Sequence, residues 1–137
     1  MKKLFVLSAV ILLMALLFTA CGSAGALSGS ASDKGYQIIK AEEAKKMIDA
    51  GNVTIVDVRT PQEFSAGHIP GAINVPNENI GTEKPEQLPD TDAVLLIYCR
   101  TGIRAADASG KLVKAGYKKV YDMGGIRDWP YETTSEN

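Results

Sequence analysis

Cysteine, histidine and tryptophan are scarce in this chain, with two, one and one among its 137 residues. Two cysteines cannot build a disulfide framework, so a folded core has to be held by apolar burial. The single histidine, His68, has no Cys, His or carboxylate at ligand spacing around it, which excludes a metal site; nothing in the sequence asks for a cofactor. Excess charge is also missing. Fifteen Lys and Arg stand against sixteen Asp and Glu, so the chain carries no electrostatic signature for a nucleic-acid partner. With 45% hydrophobic residues it is not a disordered acidic segment either. The length has room for one ordinary domain and excludes a multidomain enzyme.

One long apolar run is present, at the start. Met1, Lys2 and Lys3 lead into residues 4–18, in which only Ser8 is not apolar, followed by the small pair Thr19 and Ala20. A basic start, an apolar stretch and small residues describe a secretory signal over 1–20. Crossing a bilayer takes about 20 apolar residues, so a permanent anchor is the alternative. Leu17-Phe18-Thr19-Ala20-Cys21 resembles the lipobox of bacterial lipoproteins, which implies a lipidated Cys21 and a membrane-anchored, extracytoplasmic protein. An ordinary cleaved signal would instead give a soluble secreted or periplasmic protein. Without 1–20 the chain has thirteen basic and sixteen acidic residues, a charge of −3, so its only hold on a membrane would be the lipid. Residues 21–34, rich in Gly, Ser and Ala, read as a flexible tether, 35–132 as the folded domain and 133–137 as a tail. Cys99 would then be a lone thiol in an oxidising compartment, retained for its chemistry.

The folded part alternates strand and helix signals. Residues 36–39, 53–58, 72–75, 93–98 and 120–123 predict strands, and 41–50 and 105–115 predict helices. Thr60 as N-cap, Pro61 at the first helical position and Glu63 three residues after the cap predict a short helix that Gly67 ends. His68 to Gly71 predict a turn, and 77–92 a surface connection with a helical turn near 85–88. This order argues an α/β fold with a mainly parallel sheet flanked by helices.

In such sheets ligands bind outside the carboxyl ends of the strands. Cys99 follows the most apolar strand, and Cys99-Arg100-Thr101-Gly102-Ile103-Arg104 leads from it into a helix. Backbone N–H groups converging there, with the helix N-terminus and two guanidinium groups, favour a nucleophilic thiolate over a buried structural cysteine. Gly102 supplies the residue without a Cβ that a tight ring of N–H groups needs.

Four blocks together resemble the rhodanese-like sulfurtransferases: Asp57-Val58-Arg59 with Glu63-Phe64; Gly67 through Pro76; Cys99 through Arg104; and Gly124-Gly125 with Trp129. The resemblance covers 36–131 and implies a single rhodanese domain with a five-stranded sheet. It also implies that Cys99 carries sulfur as a persulfide, from a small anionic donor such as thiosulfate to cyanide or a thiol. Arg100 and Arg104 would then supply cations, and the Thr101, Gly102, Ile103 and Arg104 backbone would cradle the anion. Asp57 and Arg59 would brace the site from the same side of the sheet, and Arg59 with Glu63, four residues on, reads as a local ion pair or a backbone brace. His68 reads as a structural residue of its turn, and Trp129 as a core plug. Two other readings remain: a sulfur-relay or binding module, and a cysteine phosphatase. The phosphatase signature places five residues between Cys and Arg, whereas four lie between Cys99 and Arg104.

Overall fold

A computed structural model describes residues 30, 31 and 33–136. The signal segment, Cys21 and most of the expected tether lie outside the described residues. In chain order the elements are β1 (Ser30–Ala31), β2 (Gln37–Ile38), α1 (Ala41–Ala50), β3 (Thr54–Asp57), α2 (Pro61–Ala66), β4 (Ile73–Asn74), β5 (Val94–Cys99), α3 (Ile103–Lys114) and β6 (Lys119–Gly125). Single 3-10 turns occupy Asn77–Asn79 and Ile126–Asp128. The sheet runs β1-β2-β6-β5-β3-β4, with five parallel strands and β1 added antiparallel at one edge. That two-residue strand falls within the stretch expected to be tether.

Burial on both faces dictates the composition of the central strand. Leu95, Leu96, Ile97, Tyr98 and Cys99 are each at most 1% exposed. Their side chains alternate as strand geometry requires. Leu95, Ile97 and Cys99 join the cluster with Ala105, Ala108 and Leu112 of α3, while Leu96 and Tyr98 join Ala44 of α1, Ile55 and Ile69 on the other face. The strand therefore delivers the Cys99 side chain to the face that α3 covers.

The short elements are fixed by local chemistry. The capping box opening α2 is complete, with Glu63 N–H donating to Thr60 Oγ1 at 3.3 Å and Thr60 N–H donating to Glu63 Oε2 at 3.1 Å. A cap of this kind contributes about 1 kcal/mol. Pro70 and Gly71, the latter at φ 82°, form the turn into β4, closed by Ala72 N–H on the Ile69 carbonyl at 3.0 Å. α3 begins two residues earlier than its composition suggests, because Gly102, at φ 102°, turns the chain directly from the loop into the helix. β6 is longer than expected and runs through Gly125. The C-terminal residues are pinned, since His68 and Thr134 exchange two backbone hydrogen bonds of 2.8 Å and Glu136 N–H donates to the Ser65 carbonyl. Among the described residues no helix is long and apolar enough to cross a membrane.

Candidate active site

Cys99 is the last residue of β5, where the register against β6 shifts by a bulge and Cys99 lies opposite Gly125. Its side chain is turned under the loop that follows, and the Gly102 N–H donates to Sγ at 3.0 Å. Gly102 is both the N-cap of α3 and left-handed, a conformation an L side chain adopts only with strain. The first N–H bonded back into the helix is that of Ala106, on the Gly102 carbonyl at 3.0 Å. The N–H groups of Ile103, Arg104 and Ala105 thus belong to the open end of the helix, where partial positive charge collects. An anion on the sulfur sits at that end. Of the six loop residues named from the sequence, the structure brings Gly102 into contact with the thiol, while Arg100, Thr101 and Ile103 are exposed on the rim.

Arg104 is placed differently from the expectation of a free cation. Its Nη1 and Nη2 donate to Glu63 Oε2 and Oε1 at 2.7 and 2.9 Å, a two-pronged pair that ties the start of α3 to α2. The Arg104 hydrogen bonds, helped by the Thr60 N–H and hydroxyl, hold the Glu63 carboxyl down at about 2. Arg104 is raised above its ordinary value, first by the Glu63 hydrogen bond and also by the charges of Glu63 and Cys99. Glu63 is therefore not the partner of Arg59. A helix cap already accounts for an acid at that position in the sequence, and no local signal announces a contact with a residue 41 positions away.

Arg59 instead grips Asp57, with Nε to Oδ1 at 2.9 Å and Nη2 to Oδ2 at 2.6 Å, and its Nη2 also donates to the Gly67 carbonyl at 2.6 Å. Burial opposes the Arg59 charge, but the Asp57 carboxylate outweighs it and holds the guanidinium above its usual value. This pair shares the carboxyl edge of the sheet with Cys99 but not the face. Asp57 is in register with Tyr98, whose ring lies under the Arg59 guanidinium, and Cys99 points the opposite way. Support for the site is thus indirect: Arg59 fixes the end of α2, and α2 carries the acid that holds Arg104. Asn74, which the sequence did not single out, adds to the brace by donating to the Asp57 and Arg59 carbonyls at 3.0 and 2.9 Å. His68 stacks on Phe64 at 3.8 Å and its Nδ1 meets the Phe64 carbonyl at 2.8 Å, which is a structural role. Among the described residues no group of His, Cys, Asp and Glu could hold a metal ion.

The back of the loop rests on the end of β6. A Cβ on Gly125 would lie 2.3 Å from the Arg100 carbonyl oxygen and 2.8 Å from Thr101 Cα, so only glycine permits this approach. The Arg127 N–H then donates to the same carbonyl at 3.3 Å. Gly125→Ala is expected to push the loop outward, loosen the Gly102 contact and slow iodoacetamide alkylation of Cys99 by about tenfold, the equivalent of one hydrogen bond. An unchanged rate contradicts this. Glu63 generates a second expectation. A carboxyl whose folded pKa is depressed stabilises the fold above its ordinary value of 4.5 and loses that contribution as pH falls toward about 2. Glu63→Gln lacks the contribution at neutral pH, so its urea midpoint should start lower and fall less steeply through that acid range. Parallel curves for the two proteins contradict it.

The rhodanese-like domain family matches residues 40–131. A sulfurtransferase of Allochromatium vinosum is 38% identical over 87 residues, covering 63% of this chain and 79% of its own. The tRNA uridine(34) hydroxylase of Photorhabdus laumondii is 35% identical over 98 residues, covering 68% of this chain, which spans only 28% of that relative's length. The crystal structure of a rhodanese-related protein from Thermoplasma volcanium has 31% identity and a TM-score of 0.63, covering 72% of this chain and 98% of its own. The five parallel strands, the flanking helices and the cysteine loop at their carboxyl edge agree with these likenesses, and the chain belongs to the rhodanese-like domain family.

Proposed function

We propose that this protein is a sulfurtransferase in which Cys99 is the sulfur carrier. The carrying observation is the placement of the Cys99 sulfur against the Gly102 N–H at 3.0 Å, at the open end of α3. In the first step the thiolate attacks the outer sulfur of a sulfane donor such as thiosulfate. A new S–S bond forms at Cys99, the donor's S–S bond breaks, and its electron pair leaves with sulfite. The persulfide anion occupies the same cradle, where N–H groups fixed before the reaction stabilise charge without reorganising. In the second step cyanide or a thiolate attacks the outer sulfur, the S–S bond breaks, and the Cys99 thiolate is restored as thiocyanate or a new persulfide departs. No general base takes part, and His68, buried on Phe64, is not asked for one.

The sulfurtransferase relative supports this reading. Against phosphatase chemistry stand the four-residue spacing from Cys99 to Arg104 and the engagement of Arg104 by Glu63, which leaves a short ring suited to a sulfur atom. Steady-state thiocyanate formation from thiosulfate and cyanide should follow ping-pong kinetics, with parallel double-reciprocal lines. Cys99→Ser should lose this turnover by more than about a thousandfold. Intersecting lines, or a Ser variant with native turnover, contradict the proposal.

We also propose, from the pattern over residues 1–21, that the domain is exported and held at a membrane by lipid on Cys21. A Cys21→Ser chain should leave the membrane fraction. Its retention there at the native level contradicts lipid anchoring.

A further inference from the structure

Arg104 is within electrostatic reach of the sulfur, since the Cys99 charge is among those that hold its guanidinium above the ordinary value. Its own charge is already matched. Both terminal nitrogens donate to Glu63, at 2.7 and 2.9 Å, and Glu78, on the 3-10 turn after β4, adds a second negative charge beside it. Glu63 is ionised at neutral pH. Its side chain and that of Arg104 are 28% and 29% exposed, too sheltered for solvent to cancel their charges.

The helix cap does not account for an acid here. The Thr60 N–H and hydroxyl both donate to Oε2, whereas Oε1 receives only Arg104 Nη2. A glutamine at this position closes a capping box as well. What the carboxylate adds is a negative charge on the cation nearest the thiol.

A donor approaching Cys99 therefore meets a guanidinium whose charge is offset. The loop's other guanidinium, Arg100, is exposed to solvent, where screening weakens it. The remaining attraction is the open end of α3, equivalent to about half an elementary charge. That end can hold one negative charge, but a second one on the donor faces Glu63, Glu78 and the thiolate.

We propose that Glu63, reinforced by Glu78, selects the sulfur donor by charge: in neutralising Arg104 it turns the site from doubly charged donors toward organic sulfane donors with a single negative charge. This rests on the sulfurtransferase reading and names the class of its first substrate. Thiosulfate still reacts, but with its second charge working against it.

The test uses the full chain, cyanide as acceptor, and two donors of like chemistry that differ by one charge, thiosulfate and methanethiosulfonate. With either, the Cys99 thiolate takes the outer sulfur, the donor's S–S bond breaks, and the electron pair leaves on sulfite or on methanesulfinate. The donors differ in intrinsic reactivity, so the measured quantity is the change in their kcat/KM ratio between wild type and variant, in which that difference cancels. Glu63→Gln should raise the thiosulfate-to-methanethiosulfonate ratio by about fivefold at low salt, and added salt should shrink the change. Thr60→Val loosens the same cap but keeps the charge, so it should slow both donors alike and leave the ratio within about twofold of native. No rise in Glu63→Gln, or an equal rise in Thr60→Val, overturns the proposal. Should Glu63→Gln not fold, Glu78→Gln decides, because Glu78 is exposed and, among the described residues, forms no ion pair. Its ratio should rise by about twofold, and no rise overturns the proposal. Absence of transfer from both donors in the wild type instead overturns the sulfurtransferase reading, and this proposal with it.

Discussion

At the carboxyl edge of the sheet two opposite charges, Asp57 and Arg59, are buried to 0% and 6% exposure, and each has to be satisfied by the other. A pair of this kind adds little net stability, because desolvation offsets the attraction, but removing one partner costs roughly 3–5 kcal/mol. Its value is positional. The fork of Arg59 has a further donor directed at the Gly67 carbonyl, and this sets where α2 ends. α2 in turn presents Glu63, whose carboxylate closes the helix cap and receives both nitrogens of Arg104. The first turn of α3 is thereby held over Cys99. A thiol on one face of the sheet is organised by charges whose root is on the other.

Two further constraints complete the site. Strand alternation in β5, buried on both sides, sends Cys99 toward α3 and Tyr98 toward α1, so the direction of the Cys99 thiol follows from the same pattern that builds the core. The end of β6 then sets the loop's height, because Gly125 lets the Arg100 carbonyl come within a distance no side chain would allow. The left-handed Gly102 turns the chain from that loop into the helix and points its N–H at the sulfur. Backbone geometry, more than any side chain, makes the cradle.

Features with a local cause were legible in the sequence. Helix α1 over 41–50, the capping box at Thr60, the turn at Pro70 and Gly71, and the buried strand before Cys99 all announce themselves within a few residues. The cysteine loop was legible for the same reason, since its glycine and helix N-terminus are neighbours in the chain. What stayed hidden were contacts between distant segments. Glu63 looked like a cap and a partner for Arg59, because both of those positions are close in sequence, whereas the Arg104 that it does pair with is 41 residues away. Asn74 gave no sign of reaching two carbonyls 17 and 15 residues back. Gly125 stood out only as part of a block that resembles the family, because its lack of a side chain matters only against the loop it touches. The opposite faces of Asp57 and Cys99 follow from register, which fixes Asp57 against Tyr98 and is not written in either strand alone.

The central claim is that one sulfur atom resides on Cys99 between two half-reactions. Intact-mass spectrometry of the reduced protein after thiosulfate treatment, with Cys99→Ser beside it, tests this most directly. The predicted result is a gain of one sulfur, about 32 Da, that cyanide removes and that the variant never acquires. A native mass after thiosulfate, or an equal gain in the Ser variant, would contradict it.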